Sequence, residues 1–292
     1  DDSGKLFLLT VQLVGQPGNT PNWVDVLRAW NDPKMNVLPI DLVYPPNVKA
    51  TDSDNADLAM MKDSQQQATA AALRQLGYKI ANKVQVVSVD KNAPAYGKLK
   101  NGDFITAVDG AALVNGDTLR AEVRSHATKK PLELTVLRGT ATLNVSVTPQ
   151  KIGGAWRMGI SIVDTYVFPF DVKLKLQNVG GPSGGMMFAL GLIDKLTPGS
   201  LTGGQTVAGT GEINGLGDVG PIGGIQQKMW AAHDNGATWF LAPADNCDEV
   251  VGHIPAGLHV TKVSKLTEAL AALKAISANP NTTALPQCAA AK

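Results

Sequence analysis

The chain has 292 residues, which at ~150 residues per domain corresponds to about two domains, each large enough to bury its own core. Hydrophobic residues make up 44% and charged residues 17%, which excludes a disordered chain, a coiled coil and a disulfide-stapled miniprotein. The 26 Lys and Arg against 25 Asp and Glu give a net charge of +1, too balanced for the broad basic surface of a nucleic-acid-binding protein. Glycine, with 30 residues, exceeds its usual share of ~7%.

The first part of the chain carries one strand pattern and two helical patterns. Residues 6–14 are an apolar run that predicts a buried strand. Residues 23–30 place Trp, Val, Leu and Trp at helical spacing and predict a short helix. An Ala- and Gln-rich stretch over 55–76 predicts a longer helix, with Gly77 just beyond its end.

Residues 82–150 change to the period of strands and tight turns. Apolar alternation over 132–136 is mirrored over 143–147, which predicts a β-hairpin. A short helix is expected over 118–124, with Asp117 as its N-cap.

Three blocks within this stretch resemble the bacterial PDZ domain: Ala93-Pro94-Ala95, Leu99-Lys100-Asn101-Gly102-Asp103-Phe104-Ile105 and Val108-Asp109-Gly110. The resemblance implies capture of a peptide as an added strand at a sheet edge, with its terminal carboxylate bound by backbone N–H groups. Leu76-Gly77-Tyr78-Lys79-Ile80 is one candidate for that carboxylate loop, and a plain helix end explains the same residues equally well.

After residue 151 the chain returns to a mixed α and β pattern. The predicted strands are 160–163, 172–176 and 238–241, and the predicted helices are Ser183–Leu196, Gly224–Asn235 and Lys265–Ile276.

Glycines are densest over residues 180–224, where two nucleotide motifs are excluded. The run Gly215–Gly220 fits G-x-G-x-x-G, but Pro221-Ile222-Gly223-Gly224 follows where a dinucleotide-binding fold needs a helix. The phosphate-binding pattern G-x-x-x-x-G-K-[ST] does not occur. We therefore expect no nucleotide cofactor and no ATPase activity in these residues.

Ser183 and Lys228 are the candidate catalytic residues. A Ser at the first turn of an apolar helix places its hydroxyl beside free N–H groups at the positive end of the helix dipole, although a Ser there is more often only an N-cap. Lys228 lies three residues after Ile225 and four before Ala232, on the apolar side of its predicted helix. Burial lowers the pKa of a lysine and lets it act as a general base. Spacing alone does not bring Ser183 and Lys228 together.

Three ordered blocks resemble the proteolytic domain of Lon proteases: Gly181-Pro182-Ser183-Gly184-Gly185, Thr210-Gly211-Glu212-Ile213, and Val219 to Lys228 followed by Ala231-Ala232-His233. The resemblance implies that Ser183 is the nucleophile, that Lys228 is the general base and that Thr210 lies beside the lysine. Gly184 stands where the family usually has Ala, a small-for-small change expected to leave the chemistry intact. Gly180 stands where ATP-dependent members carry an acid.

The resemblance extends to the whole arrangement, that of PDZ-containing, ATP-independent Lon-like serine peptidases of bacteria. It implies an α+β fold in which a Lon-type proteolytic domain, residues 1–80 and 151–276, is interrupted by a PDZ domain, residues 81–150, and followed by a tail, 277–292. It also implies an extracytoplasmic protein, secreted or anchored by an N-terminal membrane segment absent from this chain, and a homo-oligomer such as a hexameric ring.

Two cysteines, Cys247 and Cys288, occur late in the chain. The Pro-, Asn- and Ala-containing tail has little reason to order itself, so a disulfide from Cys288 to Cys247 would explain its presence and would indicate an oxidising compartment. The alternative is two unrelated free thiols. Neither the cysteines nor the four histidines have the spacing of a metal site, so no metal or other cofactor is expected.

The sequence therefore predicts an ATP-independent serine endopeptidase with a Ser183/Lys228 dyad that cleaves unfolded or flexible peptide substrates recognised or admitted by the PDZ domain. The alternative is a peptide-binding PDZ scaffold on a Lon-like fold that no longer cleaves. A Ser/His/Asp triad built on His233 or His126 also remains open.

Overall fold

The computed structural model describes residues 4–44, 50–125, 130–172 and 180–289. The α-helices in these ranges are α1 Trp23–Asn31, α2 Ile40–Val43, α3 Ala50–Gln75, α4 Gly116–Ser125, α5 Gly185–Leu196, α6 Ile225–Asp234, α7 Cys247–Val250 and α8 Leu266–Ala278. The strands are β1 Lys5–Leu8, β2 Ala81–Val89, β3 Phe104–Val108, β4 Ala111–Ala112, β5 Leu132–Arg138, β6 Ala141–Val147, β7 Gln150–Ile152, β8 Ala155–Arg157, β9 Ile160–Val167, β10 Thr206–Gly209, β11 Glu212–Ile213, β12 Val219–Gly220, β13 Trp239–Pro243 and β14 His259–Val263. In the described ranges, no helix combines the length and the apolar character that crossing a membrane requires.

The chain divides into two compact units, and one interrupts the other. The first unit comprises Asp1–Lys79 and Val172–Lys292, and the second comprises Ile80–Asp171. The second unit therefore ends later than the boundary at residue 150 that the sequence predicts. The cause is long-range pairing: β9 is antiparallel to β2, from Ala81 opposite Val167 to Val89 opposite Ile160.

The first unit contains a four-stranded parallel sheet in the order β1-β10-β13-β14. The expected strand over 6–14 is only partly formed, because β1 pairs with β10 over Lys5–Leu8 alone and Val14 is 78% exposed. Helices α3, α5 and α8 contribute buried side chains to one core cluster beside this sheet. Functional groups of such sheets usually lie at the carboxyl ends of the parallel strands. The residues after Gly209 and Pro243 occupy this position.

Helix α1 forms where predicted, but its apolar side chains are not buried. Trp23 is 80% exposed and Trp30 is 72% exposed. The helix is capped locally by Asn22, whose side chain accepts hydrogen bonds from two backbone N–H groups. The turn that follows α1 is attached to α6, since Lys34 pairs with Asp234 at 2.5 Å.

Helix α3 is longer at its start than the sequence predicts and ends as expected. Gly77 has a φ of +88° and donates its N–H to Arg74, while Tyr78 donates to Leu73 at 3.0 Å. These two bonds are the usual way a helix satisfies its last carbonyls, with glycine in the left-handed position. Residues 76–78 thus form a helix end, and a carboxylate-binding role for residues 76–80 stays a prediction.

The second unit is built on an antiparallel sheet in the order β6-β5-β3-β2-β9, with β4 paired to β3. The predicted hairpin is confirmed in register, with Leu134 opposite Val145 and Val136 opposite Leu143. The cap of α4 is corrected from Asp117 to Asn115, because Asn115 Oδ1 accepts the N–H of Thr118 at 2.8 Å.

The Asp of the PDZ-like block Leu99 to Ile105 has a structural role. Asp103 is 1% exposed and accepts hydrogen bonds from Nε and Nη2 of Arg138 at 2.7 and 2.8 Å. The Arg138 guanidinium lowers the pKa of this carboxyl below its usual value. The pair joins the turn before β3 to the end of β5.

The C-terminal tail is held against the first unit by specific bonds. Cys247 and Cys288 form a disulfide. Pro286 accepts hydrogen bonds from the N–H of Lys262 and from Thr261 Oγ1, the latter at 2.8 Å. These contacts hold a segment whose composition alone gives it little reason to be ordered. Of the predicted strand over 172–176, all but Val172 lies outside the described residues.

Candidate functional site

Ser183 lies in a tight turn immediately before α5. The turn is possible because Gly181 has a φ of +78°, a conformation that glycine adopts at little cost. Helix α5 begins at Gly185 with Gly184 as its N-cap, so Ser183 precedes the helix rather than occupying its first turn. The Ser183 side chain is half-buried and does not cap the helix.

The backbone of this turn is held from two sides. The carbonyl oxygen of Ser183 accepts the N–H of Gly211 at 2.9 Å and the hydroxyl of Thr210 at 3.0 Å. On the other side, α3 supplies Ser64, whose buried hydroxyl donates to the carbonyl of Pro182 at 3.0 Å. The position of Ser183 is therefore set by packing and hydrogen bonds rather than by a flexible loop.

Two backbone amides at the turn are available to a ligand. In the part of the chain that the structure describes, the N–H groups of Ser183 and Gly184 donate to no protein acceptor. Both lie at the N-terminal end of α5, a helix of 12 residues, where the helix dipole favours negative charge. They are the candidate donors for an oxyanion.

Gly184 and Gly180 are both places where a side chain would meet a neighbour. A Cβ at Gly184 would lie 2.6 Å from Leu8 Cδ1, so an alanine there requires the Leu8 side chain to shift. The Gly-for-Ala difference therefore affects packing, while the expectation that it leaves the chemistry intact stays a prediction. A Cβ at Gly180 would lie 2.9 Å from Asp57 Cβ, so an α3 carboxylate side chain occupies the space beside this glycine.

Lys228 points from α6 into the protein and is 2% exposed. Its neighbours Ile225 and Met229 are fully buried, as the apolar spacing predicts. Burial lowers the pKa of Lys228 to about 8, because a desolvated ammonium is disfavoured. Among the described residues, no carboxylate lies within ion-pair distance of Nζ to oppose this effect.

Thr210 connects Lys228 to the Ser183 turn. It follows β10 at the carboxyl edge of the parallel sheet and is fully buried. Lys228 Nζ donates to Thr210 Oγ1 at 3.3 Å, and Thr210 Oγ1 donates to the Ser183 carbonyl. The described contacts include no direct hydrogen bond between Ser183 Oγ and Lys228 Nζ.

The histidines do not join this arrangement. His233 is exposed on α6, where its Nδ1 lies 3.4 Å from the carboxylate of Asp234 and its ring contacts Trp230. His126 lies outside the described residues. In the described part of the chain, no cluster of three His, Cys, Asp or Glu side chains could hold a metal ion.

Two residues of the site were missed by sequence reasoning, Ser64 and Asn246. Both are buried polar side chains that bond to backbone groups of the loops around Ser183 and Lys228. Their hydrogen-bond partners are 118 and 24 residues away in the sequence, so no local sequence pattern predicts these bonds. Polar residues flank both in the sequence, so neither stands out from its neighbours.

In the second unit, β9 is the edge strand of the sheet. One of its edges pairs with β2, and in the described residues no strand pairs with the other. Helix α4 lies close to this strand, because the N–H of Gly116 donates to Asp164 Oδ1 at 2.9 Å and a Cβ at Gly116 would lie 3.2 Å from Ile162. An exposed strand edge next to a helix is the geometry to which an extended peptide adds.

The chain is similar to the PDZ domain family and to Lon proteases. The PDZ domain family matches residues 54–148, so the chain contains a PDZ domain. The chain is 30% identical over 196 residues to Lon protease 1 of Bacillus subtilis, and 36% identical over 184 residues to Lon protease of Escherichia coli. These alignments cover 62% and 60% of this chain but 24% and 23% of those proteins, so the chain spans about a quarter of the length of the curated relatives it matches.

Two solved PDZ domains are similar to part of the chain. The PDZ domain of an SdrC-like protein from Listeria innocua is 24% identical over 27% of this chain and 92% of that one, with a TM-score of 0.26. The corresponding domain from Listeria monocytogenes is also 24% identical, over 27% and 86% of the two chains, with a TM-score of 0.26.

Proposed function

We propose that this protein is a serine endopeptidase that uses Ser183 as nucleophile and Lys228 as general base. The observation that carries the proposal is the buried Lys228, linked through a single hydroxyl, that of Thr210, to the turn that presents Ser183. A buried lysine is costly to a fold, and a lysine with a lowered pKa can serve as general base for a serine nucleophile in acyl transfer.

In the proposed mechanism each proton has a stated donor and acceptor. The Thr210 hydroxyl donates its one hydrogen bond to the Ser183 carbonyl, so its oxygen can only accept an N–H from Lys228. The lone pair of the neutral Lys228 amine is then not used by Thr210. That lone pair takes the proton of Ser183 Oγ as the oxygen attacks a peptide carbonyl. The N–H groups of Ser183 and Gly184 receive the oxyanion, the Lys228 ammonium returns its proton to the leaving amine, and water then hydrolyses the acyl-enzyme ester.

The likeness to Lon proteases supports this proposal. It covers 62% of the chain, whereas residues 54–148, which match the PDZ family, make up about a third of it. The Lon-like share is therefore larger than the PDZ match, which is consistent with a proteolytic domain formed by the first compact unit. Activity without ATP, on unfolded or flexible substrates, is proposed from the resemblance to PDZ-containing Lon-like peptidases alone.

In the same proposal the PDZ unit recognises the substrate or regulates its access. A peptide would add to the edge of β9 that pairs with no described strand, beside α4. The Cys247–Cys288 disulfide supports an extracytoplasmic location, and assembly into a homo-oligomer such as a hexameric ring is proposed from the resemblance alone.

The test is covalent labelling with a fluorophosphonate, a probe that reacts with activated serines. Labelling of the full chain should be lost in Ser183→Ala and Lys228→Met, and mass spectrometry should place the adduct on Ser183. Lys274→Met, which changes an exposed lysine on α8, is the matched control and should label normally. Absence of labelling over the whole range from about pH 7 to 10 would instead favour the alternative, a PDZ scaffold that binds peptides without cleaving them.

A further inference from the structure

Asn246 joins the end of one sheet strand to the loop that precedes α6. It lies in the short 3-10 helix that follows β13 and is 2% exposed. Its Oδ1 accepts the N–H of Ile222 at 2.9 Å, and its Nδ2 donates to the carbonyl of Ile222 at 2.9 Å. The second N–H of Nδ2 donates to Glu249 Oε1 at 2.8 Å. Both donors of the amide are therefore used in one fixed orientation.

Few hydrogen bonds hold the backbone of the loop over residues 221–224. Pro221 has no N–H, and the two glycines that follow have no side chains. Gly224 caps α6 with a φ of +69° and without a side-chain hydrogen bond. In the described residues, the backbone of 221–223 makes no hydrogen bonds other than the pair to Asn246. Asn246 therefore helps to fix where this loop lies, together with the packing of the buried Ile222 side chain in the core cluster that contains Ile225 and Met229.

The position of the loop sets the position of Lys228. The N–H of Lys228 donates to the carbonyl of Gly224 at 3.1 Å, so Lys228 lies one helical turn after the loop. The bond from Lys228 Nζ to Thr210 Oγ1 is 3.3 Å long. A shift of about 1 Å at the start of α6 takes the two atoms out of hydrogen-bond range.

We propose that Asn246 is a positioning residue, which holds Ile222 so that α6 presents Lys228 to Thr210 and to the Ser183 turn. The inference rests on the proposed peptidase function for its consequence, but the geometry of Lys228 that it predicts can be measured without any catalysis.

The disulfide reinforces this arrangement. Cys247 follows Asn246 directly and is bonded to Cys288 of the tail. Cys288 in turn packs against the core cluster that contains Ile225 and Met229 of α6. The residue that orients the loop is thus connected covalently to a segment packed on the same helix.

The experiment compares Asn246→Ala and Asn246→Asp with Thr261→Val. Asn246→Asp keeps the shape of the side chain and the acceptor for the N–H of Ile222, but it loses the donor to the carbonyl of Ile222. If Asn246→Ala does not fold, Asn246→Asp alone tests the positioning role. Thr261→Val removes a buried hydrogen bond to Pro286 in the same unit and is the control for a purely structural loss.

Two measurements are made on each variant. Trace acetylation of Lys228 with acetic anhydride, quantified by mass spectrometry from about pH 6 to 11, gives the pKa of Lys228 independently of Ser183. The rate of fluorophosphonate labelling at about pH 8 gives the reactivity of Ser183.

Both Asn246 variants should shift the pKa of Lys228 from its wild-type value, because the contacts around the amine change, and should slow labelling about tenfold or more, while Thr261→Val should change neither. The proposal is overturned if both Asn246 variants keep the wild-type pKa of Lys228. A wild-type protein that is never labelled at Ser183 contradicts the peptidase proposal, and the pKa comparison still decides the role of Asn246.

Discussion

Lys228 Nζ and Thr210 Oγ1 lie 3.3 Å apart in a buried position, and the same hydroxyl holds the carbonyl of Ser183. One side chain therefore orients both the candidate base and the backbone of the candidate nucleophile. Replacing Thr210 with valine keeps the shape but removes both bonds. We expect Thr210→Val to reduce the rate of fluorophosphonate labelling about 10- to 100-fold, because two partners lose a buried hydrogen bond.

The control for this variant is Thr202→Val, which alters another buried threonine of the same unit. It should lose stability without a comparable loss of labelling. Equal loss of labelling in the two variants would mean that Thr210 has no special role.

The pH dependence of labelling follows from the pKa of Lys228. The base must be neutral, and burial brings its pKa to about 8. The rate should therefore rise with pH through about pH 8 and level off above it. A profile that instead follows an ordinary lysine, still rising at about pH 10, would contradict the burial argument.

The same burial predicts how stability depends on pH. Between about pH 8 and 10.5 the unfolded lysine holds a proton that the folded one has released, so the free energy of unfolding rises with pH in this window. Below pH 8 the buried ammonium costs the fold about 3 kcal/mol at most. In urea titrations, the free energy of unfolding of Lys228→Met relative to that of wild type should be higher at pH 7 than above pH 10.5. The exposed Lys274→Met should show no such trend.

The Cys247–Cys288 disulfide closes a separation of 41 residues. Its loss through the double change Cys247→Ser and Cys288→Ser should lower the free energy of unfolding by up to about 4 kcal/mol, chiefly because the unfolded chain is then less restricted. A thiol assay on denatured wild type should detect free thiols only after a reductant is added. Two free thiols without reductant would show that the disulfide does not form.

The corrected cap of α4 gives a matched pair of variants. Asn115→Ala removes a buried cap and should destabilise the second unit by about 1 kcal/mol. Asp117→Ala breaks only an exposed pair with Arg120 and should cost about 0.5 kcal/mol or less. Thermal unfolding of the two variants measures both losses of stability. A larger loss in Asp117→Ala than in Asn115→Ala would identify Asp117 as the cap.

Local patterns predicted much of this fold. Alternation in β5 and β6 gave the register of the hairpin, and helical spacing turned Lys228 inward, because both depend on residues near in sequence. The patterns did not distinguish Asn115 from Asp117, since adjacent polar residues near a helix start compete on local geometry.

Other features depend on contacts that no local window contains. The apolar stripe of α1 predicts a buried face, yet Trp23 and Trp30 stay exposed because no other described element covers them. The second unit extends to Asp171 because β9 returns to β2 across some 80 residues. The roles of Ser64 and Asn246 are equally non-local, and resemblance rather than spacing brought Ser183 and Lys228 together.

The pairing of β2 with β9 has a further consequence for how such a chain can be assembled. Ala81 and Val167 are partners across the two strands, so the unit's first and last segments run side by side, about 5 Å apart. A module with adjacent ends can be spliced into, or cut out of, a host chain while the host bridges only a short gap. Joining residue 79 to residue 172 through a few glycines should therefore leave the host unit able to fold, and would let cleavage and recognition be studied as separable parts.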